Sequence, residues 1–221
     1  MVKRALVMAI SVILALAVAA PIASGKKPPS QPQDVNALTE QWWTWALAVP
    51  SPLNGDYKAG RKCKGEFVEG VFFLAGTQGG DATRTCIVPA DTALLFPVVN
   101  SFITEEEAAY PEGPTKFVDA ALANGEPYAT LDGEDLSFSR ITRTFQPLIL
   151  QEPNIFGEPG GEYGHPRCAD PTRCLTASDG LWVYLPEGLE KGKHTLTFGA
   201  NFTKPDGSEF SMNITYNLIV V

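Results

Sequence analysis

Met212–Val221 reads MNITYNLIVV, and this stretch decides the fold class. Ile214, Tyr216, Leu218 and Val220 alternate with polar or smaller residues, the period-two pattern of a strand with one buried face. The same period runs backwards along the chain. HTLTF at His194–Phe198 and LWVYL at Leu181–Leu185 precede it, separated by PEGLEKGK and Pro205-Asp206-Gly207 turns. Earlier strand signals are Phe67–Gly76, Ala82–Val88, Ala93–Phe102, Tyr128–Leu131, Leu136–Phe145 and Leu148–Gln151. Pro97 marks an edge or a bulge within the third of these. Many short strands with regular turns predict a mainly β protein, an antiparallel β-sandwich of jelly-roll or immunoglobulin-like type.

Two segments break the β period. Val35, Leu38, Trp42, Trp45, Ala46 and Val49 recur at helical spacing behind Asp34, a residue suited to an N-cap, and Pro50 ends the run. An N-terminal amphipathic helix over 35–49 is therefore expected. Thr104 with Glu105, Glu106 and Glu107 resembles a capped first turn. With Thr115–Ala123 and its Asn124-Gly125 stop, it predicts a short helical insertion. Residues 154–176 form a long Gly- and Pro-rich loop.

The N-terminus reads as an address. Lys3 and Arg4 precede sixteen uncharged residues, Ala5–Ala20, and Ala17-Val18-Ala19 is an A-x-A cleavage signal. This predicts a signal peptide over 1–19, a proline-rich linker over 20–33 and a single β-sandwich domain over 34–221. The apolar run is short for a spanning helix, and no later stretch is long enough, so no membrane insertion is expected after cleavage. Export makes the four cysteines a disulfide framework, with Cys63–Cys86 and Cys168–Cys174 the favoured pairing of three possible ones. The rival zinc site has no C-x-x-C and only His165 and His194 to assist it.

Composition narrows the partners. The full chain carries a net charge of −8; without residues 1–19 it has 15 basic and 25 acidic residues, a charge of −10. Such a surface repels phosphate backbones and anionic membranes, which argues against nucleic-acid binding. No serine nucleophile elbow, Walker loop, dinucleotide fingerprint or H-E-x-x-H occurs, and two histidines cannot make a three-histidine site. No cofactor or metal is expected.

The ordered pieces QWWTWA, VFFLAGT, RTCIVPADTALLFPVVN, ATLDG, KGKHTLTFGA and NITYNLIV resemble a family of exported microbial β-rich proteins of unassigned function. The resemblance spans Gln41–Val221. It implies one secreted β-rich domain and carries over no catalytic residue.

Several constellations could carry chemistry. Trp42, Trp43 and Trp45 could stack sugar rings, but helical spacing favours packing on the sheet, and Trp43 is the ring expected off the core face. Tyr163, His165 and Arg167, beside Glu162 and Cys168, could do acid–base work on a uronic-acid sugar, with Arg84 and Asn100 as companions. An incidentally polar loop accounts for the same residues. Asp132–Asp135 and Asp206–Glu209 could supply calcium oxygens, but D-G is ordinary turn chemistry. Asn201 and Asn213 begin N-glycosylation acceptor triplets, relevant only in a eukaryotic secretory route. The leading expectation is a secreted or envelope-associated binding protein with a carbohydrate-like ligand, an extracellular glycan. The alternatives are a uronate-lyase type of enzyme and a cell-surface protein that self-assembles through an edge strand. The oligomeric state stays open.

Overall fold

The computed structural model describes residues 34–53, 63–109, 112–156, 168, 170 and 172–221. The signal peptide and the linker expected over 1–33 lie outside the described residues. The elements, in chain order, are α1 (Val35–Ala46), β1 (Gly65–Val68), β2 (Val71–Leu74), β3 (Gly80–Val88) and β4 (Ala93–Thr104). A 3-10 turn (Glu105–Glu107) and α2 (Gly113–Asn124) follow. The remaining strands are β5 (Tyr128–Leu131), β6 (Glu134–Asp135), β7 (Ser139–Ile149), β8 (Arg173–Leu185), β9 (Gly192–Thr203) and β10 (Glu209–Val220).

The strands form two five-stranded sheets, β1-β2-β4-β8-β7 (sheet I) and β3-β10-β9-β5-β6 (sheet II), and neither closes into a barrel. The mainly β class is as the alternation predicts. The antiparallel expectation is corrected: both sheets are mixed, because β2 pairs β4 in parallel and β10 pairs β3 in parallel. The cause is a crossover. The chain leaves sheet I after β2, runs through sheet II as β3 and returns as β4, so β2 and β4 become neighbours with the same direction. Periodicity identifies a strand but carries no information about which strand lies beside it.

Local chemistry corrects several boundaries. Phe67–Gly76 is not one strand but the hairpin β1–β2, turned at Glu69-Gly70, whose φ values of 46° and 95° suit a two-residue loop. Helix α1 starts where Asp34 accepts a 3.0 Å bond from the Asn36 amide. It ends three residues before Val49, because Ala48 leaves the helix to bridge Asn154. Pro97 sits at a register shift between β4 and β8, as its residue type suggests. Arg173–Thr176, expected as the end of the long loop, instead begins β8.

Two cores result. The inner one holds Phe96, Leu181 and Val183 of sheet I, Phe198, Ile214 and Tyr216 of sheet II, and Val118 and Ala121 of α2. Phe96 and Phe198 meet across the sheets with ring centroids 4.8 Å apart. The outer one lies between sheet I and α1 and holds Trp42, Trp43, Trp45, Phe73, Leu95 and Trp182. Asp179, its side chain fully buried, is held by Arg140 at 2.7 Å, and Arg140 also grips Asp119 of α2. Both expected disulfides are present, Cys63–Cys86 and Cys168–Cys174. The first ties the chain just ahead of β1, an edge of sheet I, to β3, an edge of sheet II.

Candidate functional site

The outer face of sheet II is made by the residues that alternate with its core side chains. In register across β3, β10, β9 and β5 lie four threonines, Thr83, Thr215, Thr197 and Thr130. The next row is Thr85, Asn217 and Thr195; on the other side run Asp81, Asn213, Gly199 and Tyr128. Ser211 and Asn201 extend the array. All but Gly199 are exposed or half-buried, and none belongs to either core cluster.

The centre of this face is a hydrogen-bond network. Asn213 Oδ1 accepts from the Tyr128 hydroxyl (3.1 Å) and from Asn201 Nδ2 (3.3 Å). Its Nδ2 donates to Asp81 Oδ1 (2.9 Å) and Ser211 Oγ (3.3 Å). Gly199 separates Tyr128 from Asn213 in register, so the phenol reaches Asn213 across a residue without a side chain. A Cβ on Gly199 would strike the Met212 backbone. Burial pushes the Tyr128 hydroxyl pKa up, and the Asp81 carboxylate adds to it. Threonine on an exposed strand needs no explanation beyond β-propensity. Asparagine does, since it is depleted in strands, yet Asn201, Asn213 and Asn217 all stand on β9 and β10, interior strands of the sheet.

The β5–β6 turn beside this face is held by His194. Its Nδ1 lies 2.7 Å from Asp132 Oδ2 and its Nε2 lies 2.9 Å from the Glu190 carbonyl, while Asp132 Oδ1 accepts from the Thr195 amide. The Asp132 hydrogen bond and charge raise the His194 pKa, and the bonds from Thr195 and His194 lower that of Asp132. Asp132-Gly133 is a turn, and Asp206 accepts from the Ser208 amide and hydroxyl in another. Asp132 and Asp206, the leading carboxylates of the two calcium candidates, are thus engaged by protein groups. Among the described residues, Glu105, Cys168 and Cys174 are the one grouping with metal-ligand types, and its two sulfurs are bonded to each other.

Among the described residues, those singled out from sequence do not converge. Trp43 is 4% exposed, against Trp42 and Phe102, so its expected place off the core face is corrected; all four tryptophans are buried. The i, i+1 offset from Trp42 did not free it, because α1 buries a face broad enough to hold both rings. Arg84 is buried on the inner side of β3, donating to the Ala75 and Gly76 carbonyls and to the Tyr216 hydroxyl. Asn100 is on the α1-facing side of sheet I, two residues from Phe102 on the same strand, so the two expected companions are on opposite faces of that sheet. Tyr163, His165 and Arg167 lie outside the described residues.

No protein-family model matches the chain, and no curated protein or solved structure matches it.

Proposed function

We propose that this chain is an exported, non-catalytic binding module, a two-sheet β-sandwich whose sheet II face takes an extracellular glycan. The observation that carries the reading is the pair Asn201 and Asn213 on central strands, held in one network with Tyr128, with Asn217 on the same face and a four-threonine row between them. Neutral amides and hydroxyls both donate and accept, which matches the repeating hydroxyls of a sugar polymer. Tyr128 adds the one aromatic ring in the array. The buried tryptophans give no such platform, so support for a carbohydrate ligand rests on this face alone. Export is supported by the character of residues 1–19 and by two disulfides, which persist in oxidising compartments. No helix among the described residues is long and apolar enough to cross a membrane.

The test is a glycan array and a polysaccharide pull-down with wild type, Thr215→Val and Asn217→Ala. Retention of a glycan by wild type, weakened at least about tenfold in both variants with Tm unchanged, is the expected result; tenfold corresponds to about 1.4 kcal/mol. Failure to retain any glycan, or variants that bind as wild type does, overturns the reading.

The uronate-lyase reading retains one supporting observation. Phe156 and Cys168, which bracket the segment bearing Tyr163, His165 and Arg167, both pack in the cluster on the α1-facing side of sheet I, the side that carries Asn100. Cleavage of a uronate polymer that is abolished by His165→Ala would establish it over the binding reading.

A further inference from the structure

Seven large apolar side chains stand exposed among the described residues, and three of them gather at one corner. Ile87 of β3 and Ile219 of β10 are register partners on the outer face of sheet II, 66% and 36% exposed, and Lys193 of β9 completes their row. Phe67 of β1 is 54% exposed. Together with Ile87 it borders an open cleft of about 380 Å³, which Cys63, Phe72 and Thr85 also line. None of the three exposed residues belongs to either core cluster. A covalent tie sets the cleft where it is. The Cys63–Cys86 bridge holds the chain ahead of β1 to β3 with Cα atoms 4.8 Å apart, so an edge of sheet I meets an edge of sheet II. Thr85 belongs both to the cleft and to the Thr85, Asn217 and Thr195 row, which makes the cleft continuous with the polar outer face. A single exposed apolar residue needs no explanation, but a gathering of them marks a contact surface.

We infer that this corner is an end subsite for one pyranose ring of the glycan taken by the sheet II face, which rests on the glycan reading of that face. A pyranose has an apolar C–H face and a rim of hydroxyls. The Phe67 ring and the Ile87 and Ile219 side chains suit the first. The Thr85 hydroxyl, which can both donate and accept, suits the second. A mostly apolar lining with a few polar groups is the make-up of small-ligand sites, which span about 300–1,000 Å³. The cleft stands at the small end of that range, so it admits a single ring and not a chain. The rival occupant is a second copy of the protein. A stable interface buries about 800 Å² on each partner and takes about 20–30 residues a side, far more than three apolar side chains offer.

The test is titration calorimetry of the full mature protein with four neutral hexasaccharides: cellohexaose, chitohexaose, xylohexaose and mannohexaose. Binding of at least one is expected, weakened at least about tenfold in Phe67→Ala and in Ile87→Ser and kept in Phe67→Tyr. Both side chains are exposed, so these variants fold. Leu122→Ser removes an exposed apolar side chain of α2, away from the corner, and binds as wild type does. Thr215→Val reads the sheet II face separately. If Thr215→Val weakens binding and Phe67→Ala and Ile87→Ser do not, the subsite is overturned and the sheet II reading stands. If Phe67→Ala weakens it and Thr215→Val does not, the sheet II reading falls, and with it the cleft's place as the end of that face. Absence of binding to all four overturns the subsite, whatever a glycan array shows for the face. An equal loss in Leu122→Ser overturns it too, as does a dimer in sedimentation that Ile87→Ser dissociates, which gives the corner to a second copy.

Discussion

Replacing Arg84 by Met tests whether this residue belongs to a site or to the frame. Its guanidinium donates to the Gly76 carbonyl (3.1 Å), to the Ala75 carbonyl and to the Tyr216 hydroxyl (2.7 Å), and it lies 5.4 Å from the centroid of the Tyr216 ring. In Arg84→Met the Ala75 carbonyl keeps the Tyr216 hydroxyl as donor at 2.8 Å, so the Gly76 carbonyl is the group left without its partner. One orphaned buried carbonyl costs about 1–3 kcal/mol, and the lost cation–π contact about 0.5–2 kcal/mol. Relief of a buried charge that pairs with no carboxylate among the described residues offsets part of this. The net expectation is a loss of about 2–4 kcal/mol. For a domain of this size that lowers Tm by about 5–15 °C in a calorimetric scan. Tyr216→Phe removes a smaller share, about 1–2 kcal/mol, and the double variant is non-additive because the two side chains share one network. A Tm of Arg84→Met within about 2 °C of wild type refutes the structural assignment. So does additivity of the two variants.

Two further outcomes follow from the fold. The Cys63–Cys86 bridge closes a loop of 23 residues, for which chain entropy gives about 3 kcal/mol. Replacing both cysteines by Ala is expected to lower Tm by about 6–12 °C in differential scanning calorimetry, and an unchanged Tm refutes the staple. His194 faces two acceptors with its two ring nitrogens, and neutral imidazole has one N–H, so the protonated ring fits the site. Its folded pKa is raised above the ordinary value of 6.5, so the native state holds a proton that the unfolded chain releases as pH rises. The stabilisation is complete below about pH 6.5 and is lost as pH passes through the folded pKa. Because Asp132 is half-exposed, it amounts to about 0.5–1 kcal/mol. Urea titrations between pH 5 and 9 should show this fall in wild type but not in His194→Gln; identical profiles refute it.

Legibility in the sequence followed how local each feature was. The β8–β10 region, the α1 helix with its Asp34 cap, the kink at Pro97 and both disulfides were readable, because each depends on spacing within a few residues or on a short list of pairings. The β1–β2 hairpin was missed although Glu69-Gly70 signals it, because the flanking FV and VFFLAG merge into one apolar run. Asn100 and Arg84 read as companions because both are polar residues in strands; only the register places sheet I between them. The threonine row was invisible for the same reason: Thr83, Thr130, Thr197 and Thr215 are far apart in the chain and meet only through β10 and β9.

By itself the sequence determined most of the core-facing pattern, since a two-residue or 3.6-residue period is a property of the local backbone, but it misplaced Trp43. It also determined the covalent frame, since four cysteines in a candidate exported chain leave few pairings. What the tertiary structure alone decided was adjacency. The passage of β3 through the second sheet made both sheets mixed and set Arg84 against Tyr216. The docking of α1 buried all four tryptophans and set Glu40 against the buried Arg143. Strand order and helix placement depend on contacts between residues distant in the chain, and no short-range pattern encodes those.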